Sequence, residues 1–154
     1  MSISIGPADP ARLPECVPVF HDSAIYERYF SQDDRLLRSL RTGAERGELY
    51  TAQTEQGRIV GVMRVVPGGF CGLYPYLALI GVDASARGQG VGGALMDAFE
   101  EMGRTAGRSR VSLMVSDFNT GAQAFYKARG YRELGRIPDA AKAGITELVY
   151  LKDL

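Results

Sequence analysis

The feature that most restricts this chain is the stretch 76–93, an almost continuous apolar run that ends in a glycine-rich segment, Arg87-Gly88-Gln89-Gly90-Val91-Gly92-Gly93. A run such as Tyr76–Val82 has no polar face to show to water, so it reads as a central strand. Gly81 inside it marks a bulge or a close approach by another backbone or a ligand. The polar loop Asp83–Arg87 follows. A helix is then expected from Ala94 to about Thr105, with Leu95, Met96 and Phe99 on its apolar face. Glycines in the connecting loop let the backbone come close to a partner and point several N–H groups one way. The helix adds its positive end at the same place. Together they make an anion pocket suited to a pyrophosphate. The other reading is a flexible, glycine-rich helix start, and the loop alone does not separate the two.

The remainder reads as short alternating elements. Ser2–Ile5 alternates and forms a first strand. Asp9 followed by Pro10 starts a helix that runs to about Phe20. Ser31 and Asp34 resemble a capping box, and Leu36, Leu37 and Leu40 give one apolar face to a second helix ending near Gly43 or Gly47. Glu48–Thr54 and Arg58–Val66 are strands joined by Glu55-Gln56-Gly57, and Pro67-Gly68-Gly69 breaks the second. After the glycine loop and its helix come a strand at Val111–Val115 and a helix at Thr120–Arg129. Asn119 caps that helix and Gly130 closes it. Tyr131–Ile137 and Thr146–Leu151 are the last strands. This order predicts a single α/β domain over residues 1–154, of mixed α+β type with an antiparallel first half.

The 154 residues carry 18 Lys and Arg against 18 Asp and Glu, a formal net charge of zero. A phosphate-binding partner of nucleic acids usually shows a basic excess, so bulk charge nominates no nucleic acid. With two cysteines, Cys16 and Cys71, and one histidine, His21, the chain has neither a disulfide framework nor a dedicated zinc site; both thiols read as buried and free. The first residues lack a signal-peptide pattern and no apolar run reaches membrane-spanning length, which leaves a cytoplasmic setting as the expectation.

Gly88-x-Gly90-x-x-Gly93 also satisfies the dinucleotide-binding spacing, with Asp117 at a later strand end where a ribose-binding acid stands. In that fold the first glycine turns directly off its strand, whereas Asp83–Arg87 intervene here. The chain after Asp117 is also too short to complete a doubly wound sheet.

A second motif is more specific. In Asn119-Thr120-Gly121-Ala122-Gln123-Ala124-Phe125-Tyr126-Lys127-Ala128-Arg129-Gly130-Tyr131, a capped helix carries Ala122, Phe125 and Tyr126 at inward spacing and stops at glycine. Here the sequence resembles the GNAT superfamily of acetyltransferases. Arg87, Gly90 and Gly92 match its Arg/Gln-x-x-Gly-x-Gly/Ala motif. Asn119, Ala122, Phe125, Tyr126, Gly130 and Tyr131 match its later motif, and Ile80-Gly81-Val82 stands at the family's spacing before the loop. The resemblance covers about Tyr76 to Tyr131 strongly and the rest through strand order.

The resemblance implies a GNAT-like fold: a central mixed, mostly antiparallel sheet of six to seven strands flanked by about four helices. It implies an N-acetyltransferase that moves the acetyl group of acetyl-CoA to an amine of a small molecule or peptide, by direct attack through a tetrahedral intermediate and without a metal. Arg87, Gly88, Gln89, Gly90, Val91, Gly92 and Gly93 are then the diphosphate contacts. The backbone of Ile80, Gly81 and Val82 would hold the pantetheine arm and the acetyl carbonyl, its N–H groups stabilising the oxyanion. Asn119 would contact the cofactor or cap its helix, and Tyr126 would bind the cofactor and act as general acid on the leaving thiolate. The base stays open. Relatives that acetylate protein N-termini often carry a glutamate five residues before the motif asparagine, but Met114 stands there. Asp117, Tyr74, Glu48 and His21 are the candidates. A non-catalytic acyl-CoA sensor and a dinucleotide-binding oxidoreductase are the alternatives. The acceptor, the acyl length and the assembly are not fixed by these residues, and the resemblance leaves a homodimer open.

Overall fold

A computed structural model describes residues 1–154. Seven strands form one sheet, in the order β1-β2-β3-β4-β5-β7-β6. They are β1 Ile3–Pro7, β2 Leu49–Thr54, β3 Ile59–Phe70, β4 Tyr74–Val82, β5 Arg110–Ser116, β6 Arg132–Pro138 and β7 Thr146–Asp153. The β1–β2, β2–β3, β5–β7 and β6–β7 pairs are antiparallel, and β4–β5 is parallel. The α-helices are α1 Leu13–Cys16, α2 Arg35–Glu45, α3 Val91–Thr105 and α4 Thr120–Ala128. The mixed, mostly antiparallel sheet is the one expected from the sequence, and it excludes the doubly wound parallel sheet of a dinucleotide-binding fold. No helix is long and apolar enough to cross a membrane.

The chain divides into two compact units. One comprises Met1–Val65 with Leu79–Phe99, the other Val66–Ala78 with Glu100–Leu154. In the first, Leu13, Cys16, Val19, Phe20, Leu36, Leu40, Leu49, Ile59 and Val62 form the buried cluster. Burying each large side chain among them contributes about 1.5–3 kcal/mol. Leu95 and Val91 of α3 close over Gly61 of β3, where an added Cβ would meet both at 3.0 Å. In the second unit, Val111, Leu113 and Val115 of β5 and Leu148, Tyr150 and Leu151 of β7 are buried beside Tyr126 and Tyr131.

Four local expectations change. The helix expected from Pro10 to Phe20 is broken into a 3-10 turn at Pro10–Arg12, α1, and a second 3-10 turn at Val17–Phe20. Pro14 and Pro18 each remove a backbone donor there, so no long ladder can form. Asp9 still caps the start, accepting from Ala11 N at 2.9 Å. Ser31 forms no capping box; its hydroxyl donates to Glu27 O, ending a π-helical turn at Tyr26–Phe30, and Asp33 accepts from Arg35 N at 2.8 Å. Pro67-Gly68-Gly69 does not break β3, which runs on to Phe70. The turn is made instead by Cys71 and Gly72, with φ of 56° and 72°. That leaves Cys71 exposed, contrary to the buried thiol expected, while Cys16 is buried.

Candidate active site

The glycine loop starts from a fixed turn. Asp83 Oδ1 accepts from Ser85 N at 3.0 Å and from Arg58 Nη2 at 2.7 Å, which anchors the 3-10 turn Ala84–Ala86. Gly88 and Gly90 follow with φ of 74° and 86°, and no atom lies within 4 Å of a Cβ built on either. Glycine is therefore required there by conformation, with open space above it. The helical bond Ala94 N to Gly90 O, at 3.0 Å, opens the α3 ladder. The amides of Val91, Gly92 and Gly93 precede it, at the positive end of the helix. These residues fit a diphosphate: several N–H donors, a favourable dipole and no side chain in the way.

Arg87 is held by the protein itself. Its guanidinium donates to three carbonyls: Val82 O at 3.1 Å, Asp22 O at 2.9 Å and His21 O at 3.2 Å. It ties the end of β4 to the segment after the Val17–Phe20 turn. Between these two stretches lies a pocket of about 160 Å³, lined by Val19, Phe20, Ser23, Ile25, Ile80, Gly81, Val82 and Arg87. Gly81 is glycine for steric reasons, because a Cβ would fall 2.5 Å from the Phe20 ring. Pairing of β4 with β5 comprises Tyr76 with Ser112 and Leu77 with Leu113, and Ile80 to Val82 lie outside those pairs.

In the second unit, Asn119 Oδ1 accepts from Ala122 N at 3.3 Å and caps α4. Gln123 Nε2 donates to Ser116 O and Asp117 O, both at 3.1 Å, fastening α4 to the end of β5. Tyr126 packs edge-on against Phe125, Tyr131 and Tyr150, with ring centroids 5.4, 5.8 and 6.4 Å away. Burial pushes its phenol up to about 12, so it keeps its proton at neutral pH.

The four base candidates are each engaged elsewhere. Glu48 binds Arg64 at 2.9 Å. The Tyr74 hydroxyl accepts from Arg110 at 3.0 Å. Asp117 Oδ2 accepts from Thr146 N at 3.2 Å and clasps the strand ends. The His21 ring packs on Tyr26 with centroids 4.7 Å apart. A carboxylate not singled out from the sequence is Glu147, at the start of β7. It is 6% exposed and its Oε1 accepts from Ser116 Oγ at 2.8 Å. Its one signal in the sequence is an acid directly before the apolar run Leu148–Leu151 of β7.

Residues 13–131 match the model of a family described as the acetyltransferase (GNAT) family. An uncharacterised protein, YdhI of Bacillus subtilis strain 168, is 30% identical over 94 residues, which is 60% of this chain and 55% of that protein. The chain thus spans little more than half of that relative. The crystal structure of Ard1 from Thermoplasma volcanium superposes with a TM-score of 0.82 over 100% of this chain and 99% of that one, at 21% identity. That of nourseothricin acetyltransferase has a TM-score of 0.62 and 26% identity over 68% of this chain and 64% of the other.

Proposed function

The chain belongs to the acetyltransferase (GNAT) family, and from that premise we propose that residues 1–154 act as one catalytic domain transferring the acetyl group of acetyl-CoA to an amine on a small molecule or peptide. The observation that carries the reading is the start of α3. Gly88 and Gly90 adopt left-handed φ beneath open space, and the amides of 91–93 precede the first helical bond. A doubly charged diphosphate matches that set of donors better than a neutral ligand does.

Acetyl-CoA supplies the activated acyl thioester. The amides of Gly88 to Gly93 hold its diphosphate. The Arg87 guanidinium, occupied by three carbonyls, acts as a brace that sets the loop against the end of β4. The backbone N–H groups of Ile80 to Val82 hold the pantetheine arm and oppose the charge that develops on the acetyl oxygen. Asn119 keeps α4 capped and so sets the position of Tyr126. The Tyr126 phenol, neutral at physiological pH, is the proton donor to the departing sulfur. Apolar side chains of Val19, Phe20 and Ile25 beside Ile80 favour an acceptor with an apolar portion. A cytoplasmic setting belongs to the same reading.

The test is a thiol-release assay with acetyl-CoA against a panel of tyramine, spermidine, phenylalanine amide and a short peptide with a free N-terminus. Release of CoA that depends on one of these amines, with acetylated product by mass spectrometry, is the expected result. Binding of acetyl-CoA with no release from any amine would favour a sensor instead.

A further inference from the structure

We propose that Glu147 is the general base that takes a proton from the acceptor ammonium. The inference rests on the acetyltransferase reading and supplies the step that reading leaves open. The β5–β7 register pairs Ser116 with Glu147 and Met114 with Val149, so these four side chains share one face of the sheet. Tyr76 of β4 pairs with Ser112 of β5, which puts it on that face too. Met114 holds the position five before Asn119 and has no basic group. Glu147 stands on the adjacent strand, one step along the same face.

The Glu147 carboxylate is 6% exposed and accepts from the Ser116 hydroxyl at 2.8 Å, so it is held on this face of the sheet. That bond fixes Oε1 and orients the group. Neighbours on this face include Ser116 and Met114 from β5, Val149 from β7, Ile137 from β6 and the Tyr76 phenol from β4. The Tyr76 phenol is pushed up to about 12, by burial first and by the charge of Glu147 second, so it stays neutral beside the carboxylate. A neutral phenol next to a buried carboxylate gives an arriving ammonium one negative charge to approach and one hydroxyl to steer it.

The proton balance closes. An ammonium R–NH₃⁺ gives one proton to Glu147 and becomes a nucleophilic amine. Its nitrogen attacks the acetyl carbon, forming the C–N bond as the carbonyl π pair moves onto oxygen, and collapse of that tetrahedral oxyanion breaks the C–S bond. Tyr126 gives its proton to the sulfur, and the nitrogen's second proton restores the phenol. Net, one proton ends on the CoA thiol and one passes from Glu147 to solvent.

The experiment compares wild type, Glu147→Gln and Glu147→Asp, using acetyl-CoA and the best amine from the panel above. Acetyl-CoA affinity by calorimetry and the melting temperature are measured on all three. Glu147→Gln is expected to bind acetyl-CoA within about twofold of wild type and to lose roughly 100-fold or more in kcat/KM at pH 7. Its rate then climbs about tenfold per pH unit toward the amine's own pKa, because only the free amine reacts. Glu147→Asp restores part of the rate and flattens the profile. A Glu147→Gln enzyme that binds acetyl-CoA and keeps the wild-type rate and pH profile overturns the base and leaves the acetyltransferase reading standing. A folded Glu147→Asp with the same steep profile as Glu147→Gln also overturns it. A wild type that takes up no acetyl-CoA, or accepts no amine, sinks the reading and the base together.

Discussion

The ring of Phe20 occupies the space where a side chain on Gly81 would begin, with its nearest carbon 2.5 Å from an ideal Cβ. Phe20 is 2% exposed and sits in the core of its unit, so the ring cannot simply swing away. Gly81→Ala should therefore destabilise the fold by about 1–3 kcal/mol, the usual range for an overpacked core. Thermal unfolding checks this. A melting temperature within 1 °C of wild type, taking about 2–8 °C per kcal/mol as the scale, would show that the contact relaxes freely.

Gly90 offers the opposite case. Its φ of 86° is strained for any other residue, yet no atom lies within 4 Å of an added Cβ. Gly90→Ala should cost about 1–2 kcal/mol in stability from backbone conformation alone. The new methyl also enters the space above the loop, so acetyl-CoA affinity should fall roughly tenfold, equivalent to about 1.4 kcal/mol. Calorimetry of the variant reads this directly, and unchanged affinity would mean that the ligand does not touch that loop.

Tyr126→Phe separates chemistry from binding. Turnover should drop at least about tenfold, or 1.4 kcal/mol in barrier, while acetyl-CoA affinity stays close to wild type. The same variant has a signature in stability. The phenol is held at about 12 when folded against an ordinary value of 10, so the folded chain grips the proton more tightly. That contribution is whole below pH 10 and is lost as pH rises through 12. Melting temperature should therefore fall less steeply between pH 9 and 12 in Tyr126→Phe than in wild type. Equal slopes would show that the phenol titrates as it does in water.

The two thiols should react at very different rates. Cys71 lies exposed in the β3–β4 turn, whereas Cys16 is 1% exposed and burial pushes its thiol up to about 11. An aromatic disulfide reagent at pH 8 should titrate one thiol quickly in the native protein and the second only in denaturant. Two fast thiols would contradict the packing of α1.

Much of this architecture is legible in the residues because its signals are local. Asn119 caps α4 and Gly130 ends it at φ of 93°, as a short motif dictates. The strand, glycine loop and helix at 74–105 follow from apolar patterning and from glycines that only a special backbone needs. What escaped depends on packing and pairing rather than on local residue preference. Pro67-Gly68-Gly69 reads as a breaker, but Gly69 is glycine because Tyr76 packs 2.7 Å from its would-be Cβ, and proline's fixed φ is tolerated at sheet margins. The turn falls instead on Cys71, a residue with no turn preference, at φ of 56°. Glu147 acquires its character from Ser116, 31 positions earlier, and no spacing rule reaches that far. Arg87 matches a ligand-loop motif, while its guanidinium reaches back to the carbonyls of His21 and Asp22.

The most direct measurement is a calorimetric titration of the wild-type chain with acetyl-CoA, run beside one with NADH. A single saturable site for acetyl-CoA, weakened by Gly90→Ala, and no heat with NADH is the predicted result. Saturation by NADH, or no uptake of acetyl-CoA by a folded chain, would contradict the assignment of the 88–93 amides to the CoA diphosphate.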